Sequence, residues 1–248
     1  DMKRVSRFAA THNCFVLQDA CETFNTICAT GEEQYYRSGD ITTLSFYHPH
    51  HLSSYGGGGV ICGEKEDYIL CDSIAHWGRA CKCHIDESLC RNPEGPAHQF
   101  TYERPGVNVE MSELNACFGR WQLRQWNSIE SKRRQNYTVL YDRLCNNPNL
   151  KVWPVGTNEP SRFVFPIQLM NGMNVKEAWT KLADKGVEIR TLMGGATCEQ
   201  PAYKGLITYD SQDEAVAMAD STFFVGIHHM LTNEDVLAVA KIINQIFS

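Results

Sequence analysis

Hydrophobic and polar positions follow two rhythms along this chain. Residues 15–18, 42–47 and 59–63 are short runs of β-branched, aromatic and apolar side chains, closed by Asp, His/Pro or Gly, and they predict three buried strands of one sheet. The stretch from Val5 to Ala10 reads as the end of a helix feeding the first strand, as if the chain were entered partway through a domain. Residues 65–79 predict a helix, whereas 81–102 mixes Cys, Pro, Gly and His without any period and predicts an ordered excursion. From 111 to 145, Leu114, Cys117, Phe118, Trp121, Leu140 and Leu144 recur at helical spacing with an interruption near 127–131, predicting two consecutive helices or one bent helix.

Beyond Pro148 the grammar changes. Strands are expected over 162–169 and 187–191, and helices over 175–185 and 234–247, with Gly and Pro between them. The expected organisation is an α/β domain over 1–146, carrying the cysteine-rich excursion and connecting helices, followed by a small α+β domain over 147–248.

Composition narrows the function classes. With 43% hydrophobic and 10% aromatic residues in 248, the chain is apolar enough to bury a core. Its 23 basic and 29 acidic residues are interspersed, the formal charge is -6, and no Lys/Arg run provides a footprint for nucleic acid or an anionic membrane. No apolar run approaches the roughly 18 residues that span a bilayer, and no signal-type stretch follows the first four residues. A cytoplasmic protein with small-molecule partners is expected. In a reducing compartment the 11 cysteines point to metal ligands or small buried hydrophobes rather than disulfides. The run Gly56 to Gly59 lacks the following helix of a dinucleotide or P-loop site.

Three segments carry a family likeness. They are Leu17-Gln18-Asp19-Ala20-Cys21-Glu22, then Ser45-Phe46-Tyr47-His48-Pro49-His50-His51-Leu52 followed by Gly57-Gly58, and Gly106-Val107-Asn108-Val109-Glu110-Met111-Ser112-Glu113-Leu114. Together they resemble the sugar aminotransferase and dehydrase family (DegT/DnrJ/EryC/StrS) of fold-type-I pyridoxal-phosphate enzymes, and the likeness runs through essentially all 248 residues. It implies an aspartate-aminotransferase-like α/β fold, with a large domain here lacking the N-terminal portion that carries a glycine/serine turn for the cofactor phosphate.

The resemblance assigns roles residue by residue. Asp19 would pair with the pyridinium nitrogen, strengthening the ring as an electron sink, although a strand-end Asp also commonly caps the next turn. Glu22, Ser45 and Asn108 complete the implied cofactor-binding set, with Ser45 on the phosphate and Asn108 reaching the phosphate of a neighbouring subunit. His50 stands where the aminotransferases carry the lysine that forms a Schiff base. An imidazole cannot do that but can remove a proton near neutral pH, which selects the amine form of the cofactor, pyridoxamine phosphate, and dehydration. His48 and His51 are alternative bases, and the three histidines are also an alternative metal site.

Histidine-bearing dehydrases of this family occur with and without a [2Fe-2S] cluster. Cys21 just after Asp19, the pair Cys81-Lys82-Cys83 and Cys90 resemble the ligand set of the cluster-bearing branch, and the same four thiolates would also satisfy structural zinc. Cys14, Cys28, Cys62, Cys71, Cys117, Cys145 and Cys198 have no such arrangement and are expected to be packing residues. The implied activity is C3 deoxygenation of a nucleotide-linked 4-keto-6-deoxyhexose, with CDP as the nucleotide. A flavin/iron–sulfur reductase would supply electrons to a homodimer, and the product would feed dideoxysugars of a surface polysaccharide. The family's Gly-Glu-Gly-Gly is Tyr55-Gly56-Gly57-Gly58 here, so one acidic side chain is missing. Two rival readings are a cluster-free dehydratase or aminotransferase relative, and a non-catalytic metal-binding or interaction protein.

Overall fold

The strand-forming runs of the first half pair into one sheet in a computed structural model that describes residues 2–24, 39–89, 95–156, 162–203, 205–206 and 213–248. Cys28 and Cys90 lie outside the described residues. The chain separates into two compact units, Asp1–Gln125 and Trp126–Ser248.

In the first unit, helix α1 (Met2–His12) ends on Asn13, whose φ of 51° is the left-handed conformation that closes many helices. Strand β1 (Leu17–Asp19) runs parallel to β2 (Ile41–Ser45), and β3 (Gly58–Cys62) returns antiparallel to β2, giving the order β1-β2-β3. Asp19 is in register with Thr43 and Ser45 with Gly58. Helix α2 (Lys65–Ala75) packs on β3 and stops four residues before the expected Arg79, because Trp77 and Gly78 adopt positive φ. The excursion then forms short 3₁₀ turns at Glu87–Leu89 and Pro96–Phe100, and an antiparallel bridge between Arg79 and Tyr102 closes its base. Helix α3 (Glu113–Arg124) starts at Ser112, whose Oγ accepts the Asn115 N–H at 3.2 Å.

The second unit begins with α4 (Trp126–Leu144), so the helical stretch breaks at Gln125 and its second helix belongs to the second unit rather than to the domain expected over 1–146. The reason is packing: Tyr137, Leu140 and Leu144 of α4 join the core built on the second sheet. That sheet has the order β4-β5-β7-β6, formed by β4 (Leu150–Lys151), β5 (Val164–Leu169), β6 (Arg190–Thr191) and β7 (Thr222–Gly226). Phe165, Ile167 and Leu169 alternate inward along β5 and meet α5 (Val175–Ala183) and α7 (Asn233–Ile246) through Leu182 and Ile243. Strand β7, absent from the sequence expectations, lies between β5 and β6. It follows α6 (Asp213–Ser221) directly, with no Gly, Pro or Asn to mark the change of period.

After β7, the rings of His228 and His229 lie 4.2 Å apart, tilted by 36°, and burial, then the nearby charge of Arg133, pushes His228 below the usual histidine range; burial likewise leads for His229. Both histidines therefore favour the neutral form when folded. The unfolded chain binds more protons below pH 6.5, so stability contributed above that value falls as pH drops towards the lowered folded pKa. Melting curves between pH 8 and pH 5 should show this unit losing stability in acid, with a shallower slope for His229→Gln. An unchanged slope would remove these histidines from the account.

Candidate functional site

Parallel pairing of β1 and β2 brings the carboxyl ends of both strands to one edge of the sheet, the edge at which α/β folds bind ligands. Asp19 ends β1 there. Its Oδ1 accepts the Cys21 backbone N–H at 3.0 Å, so the capping role expected of a strand-end Asp is present. The Cys21 thiol and N–H, the Thr43 hydroxyl and the charge of His50 hold the Asp19 carboxyl below its usual value, outweighing slight burial. Asp19 therefore stays ionised and within the electrostatic reach of His50. Cys21 is affected in the opposite sense: burial, then Asp19, pushes its thiol up, and its Sγ lies 3.9 Å from Thr43 Oγ1.

Ser45 ends β2, and its Oγ accepts the Tyr47 N–H at 3.2 Å, which leaves the hydroxyl hydrogen to donate elsewhere. The loop from Phe46 to Gly57 is closed at its base by Phe46 N–H to Gly57 O at 3.0 Å and Ser54 N–H to Phe46 O at 2.9 Å. Within it His50 is half-buried, its N–H donates to Tyr47 O at 3.0 Å, and its ring meets Tyr47 edge-on at 6.1 Å. His48 is exposed and His51 is buried, and the described ligand atoms do not gather the three histidines into a metal site.

Two polar side chains of α3 hold this loop, and sequence reading missed both. Gln122 Oε1 accepts the Ser53 N–H at 2.8 Å, and Asn115 Nδ2 donates to Ser54 O. The glycines beneath the loop answer a packing need, since a Cβ on Gly57, whose φ is +80°, would stand 2.5 Å from Met111 Sδ. Asn108 is exposed on the strand-like segment bridging to His76, and Glu22 is exposed beyond Cys21.

The cysteines sort differently from the sequence expectation. Cys81 and Cys83 converge with His98, their ligand atoms lying within 4.8 Å of one another. Cys21 is held at the end of β1 with Asp19 and Thr43 and is not in that group, while Cys90 lies outside the described residues. The residues present thus fit a thiophilic metal centre at Cys81 and Cys83, but the described chain does not assemble four thiols. Cys14, Cys117 and Cys145 are exposed rather than packed, because they fall just past α1, on the open face of α3 and at the end of α4. Cys62 of β3 is pushed up to about 11 by burial and by Cys71 of α2. A second constellation, Asp72, His76 and His84, is satisfied internally: His84 Nε2 lies 3.0 Å from both Asp72 carboxylate oxygens, and His76 Nδ1 donates to Asp72 O at 2.8 Å.

No described helix is long and apolar enough to cross a membrane. The profile of the DegT/DnrJ/EryC1/StrS aminotransferase family matches residues 1–244. Among curated proteins, the chain is 28% identical over 253 residues to a dTDP-4-dehydro-2,6-dideoxy-D-glucose 3-dehydratase of Saccharopolyspora spinosa, covering 93% of this chain and 53% of that one. It is 29% identical over 252 residues to the lipopolysaccharide biosynthesis protein RfbH of Salmonella typhimurium, covering 94% and 57%. Among solved structures, the E. coli GDP-4-keto-6-deoxy-D-mannose-3-dehydratase with bound hydrated PLP superposes with a TM-score of 0.83 at 20% identity, over 97% of this chain and 63% of that one. The chain therefore spans little more than half the length of these curated relatives. The likeness establishes the fold as the α/β architecture of pyridoxal-phosphate-dependent sugar enzymes.

Proposed function

This chain belongs to the DegT/DnrJ/EryC1/StrS aminotransferase family, and on that footing we propose that its chemistry is dehydration rather than amino transfer. The substrate class is a nucleotide-linked 4-keto-6-deoxyhexose, with CDP as the nucleotide, and the group removed is the C3 hydroxyl. The observation that carries this reading is an imidazole, His50, in the loop leaving β2 at the edge of the sheet where β1 ends on Asp19. No lysine occurs between Lys3 and Lys65, so that loop offers no amine for regenerating the aldehyde form of a cofactor.

When bound, pyridoxamine phosphate supplies an electron sink. Asp19, ionised and anchored through Cys21, is suited to the pyridinium nitrogen, and the Ser45 hydroxyl to the phosphate. His50 would take up a proton at the cofactor's C4′ carbon and return it to the departing C3 hydroxyl, which would leave as water. Glu22 borders this edge of the sheet, and Asn108 is assigned to the cofactor phosphate of a second copy. The exposed apolar side chains of Leu114 and Trp121 on α3, 69% and 58% accessible, support burial against another protein surface.

Cys81 and Cys83, joined in the full ligand set by Cys21 and Cys90, are assigned to an iron–sulfur centre, which would supply single electrons delivered by a flavin/iron–sulfur reductase. The metal-free dehydratase is the second reading, favoured by the position of Cys21 away from the Cys81–Cys83 pair.

With pyridoxamine phosphate, a CDP-linked 4-keto-6-deoxyhexose and a reductase, mass spectrometry should find a keto sugar one oxygen poorer. An amino sugar formed instead would refute dehydration. Because the Asp19 carboxyl lies below its usual range, it should be ionised throughout pH 5–8 and introduce no step in cofactor binding there. Asp19→Asn should weaken cofactor binding about tenfold or more, the worth of a charge-assisted hydrogen bond of roughly 1.5–3 kcal/mol. Equal affinity in titrations of both proteins would show that Asp19 only caps its turn.

A further inference from the structure

The excursion after α2 holds a donor set different from four thiols. Cys81 and Cys83 are two residues apart at its foot, and His98 approaches from the 3₁₀ turn at its return. His98 Nδ1 lies 2.7 Å from Gly95 O. A carbonyl oxygen can only accept, so Nδ1 carries the hydrogen and Nε2 of the neutral ring has its lone pair available. That Nε2 lies 3.6 Å from Cys83 Sγ, placing the thiol as donor and the imidazole as acceptor. An imidazole whose far nitrogen is fixed on a backbone carbonyl, with its near nitrogen facing thiol sulfur, has the outer-shell support typical of a metal-ligating histidine. Between the two cysteines, Lys82 is buried and its Nζ donates to Arg79 O at 2.5 Å.

We propose that His98 Nε2 is a ligand of the metal centre at Cys81 and Cys83, where the metal displaces the Cys83 thiol hydrogen now shared with it. The inference rests on the reading of Cys81 and Cys83 as metal ligands and alters its composition. Two thiolates and one imidazole suit iron, zinc or cobalt(II), and exchanging a thiolate for a neutral imidazole lowers the centre's negative charge and raises its potential.

The test uses the whole chain, reconstituted anaerobically with iron and sulfide and, separately, titrated with cobalt(II). Pulsed EPR of the reduced iron form should show a ¹⁴N coupling that His98→Ala removes, and His98→Cys should retain the metal without that coupling. In the cobalt(II) titration, His98→Ala should lose more than the roughly 10–100-fold affinity typical of an outer-shell partner. Circular dichroism verifies that the variants fold, and the cysteine variant keeps the test valid if the alanine variant does not. If Cys81→Ser and Cys83→Ser abolish metal uptake while His98→Ala binds as wild type with the coupling intact, the proposal fails and the thiol reading survives. If cobalt(II) binds with thiolate charge transfer and depends on His98, but iron and sulfide never assemble, the ligand stands and the iron–sulfur reading falls.

Discussion

His50→Asn is expected to stop solvent deuterium entering the C4′ position of pyridoxamine phosphate in the presence of the keto sugar, slowing exchange by about 10²–10⁴-fold, the usual worth of a positioned general base. Asparagine preserves much of the side chain's size and hydrogen-bonding ability but cannot take up a proton near neutral pH. Cofactor affinity should change little, because the groups assigned to the ring and phosphate are Asp19 and Ser45. His48 is exposed and His51 buried, whereas His50 is half-buried and is among the groups that lower the Asp19 carboxyl. His50→Lys should capture pyridoxal phosphate covalently, with the cofactor's mass retained on the polypeptide after borohydride reduction. Exchange that persists in His50→Asn and ceases in His51→Asn would move the base to the buried neighbour.

Gly78→Ala is expected to abolish metal uptake by the excursion. Gly78 has φ +83°, and a Cβ there would stand 1.8 Å from the Arg104 carbonyl oxygen. On the facing segment, a Cβ on Gly106 would lie 2.2 Å from Gly78 N, so the two backbones touch. Neither can retreat without breaking the bonds that close the excursion: Gly78 N–H to Ser73 O at 2.7 Å, Glu103 N–H to Gly78 O at 2.9 Å and Ala80 N–H to Thr101 O at 2.8 Å. The backbone conformation alone costs about 1–3 kcal/mol, and the overlap adds the loss of this ladder. Opening the base separates Cys81 and Cys83 from His98. Gly172→Ala, with φ +76° but open space around it, is the control that bears only the conformational cost. Stoichiometric metal in Gly78→Ala would show that the closed base is not what gathers the ligands.

The features legible in the sequence were those written in one local period. Residues 42–47 and 59–63 are unbroken runs of strand-forming residues, and β2 and β3 lie within a residue or two of those limits, although Thr42 alone of the two strands is buried where buried strands were expected. The edge formed by Asp19, Ser45 and His50 depends on β1 running parallel to β2, a non-local pairing that no spacing encodes. Asn115 and Gln122 sit among the polar positions of α3, where such residues ordinarily face water, so their grip on the His50 loop was invisible. The Cys-x-Cys pair stood out, but His98 lies 15 residues beyond Cys83 in an aperiodic stretch. Strand β7 was hidden for the opposite reason: it runs on from an alanine-rich helix without a turn residue, and its place in the sheet comes from pairing with β5 and β6. The division between the units moved to Gln125 because α4 buries its apolar face on the second sheet, whereas the composition changes only after Pro148.

The central claim is that this site eliminates the C3 hydroxyl instead of transferring an amine, and oxygen-18 exchange tests it without any reductase. With pyridoxamine phosphate and a CDP-linked 4-keto-6-deoxyhexose in H₂¹⁸O, reversible elimination should carry the heavy oxygen into the C3 hydroxyl of recovered substrate, and His50→Asn should prevent it. An unlabelled C3 hydroxyl, together with a 4-amino sugar and an equal amount of pyridoxal phosphate, would contradict the account.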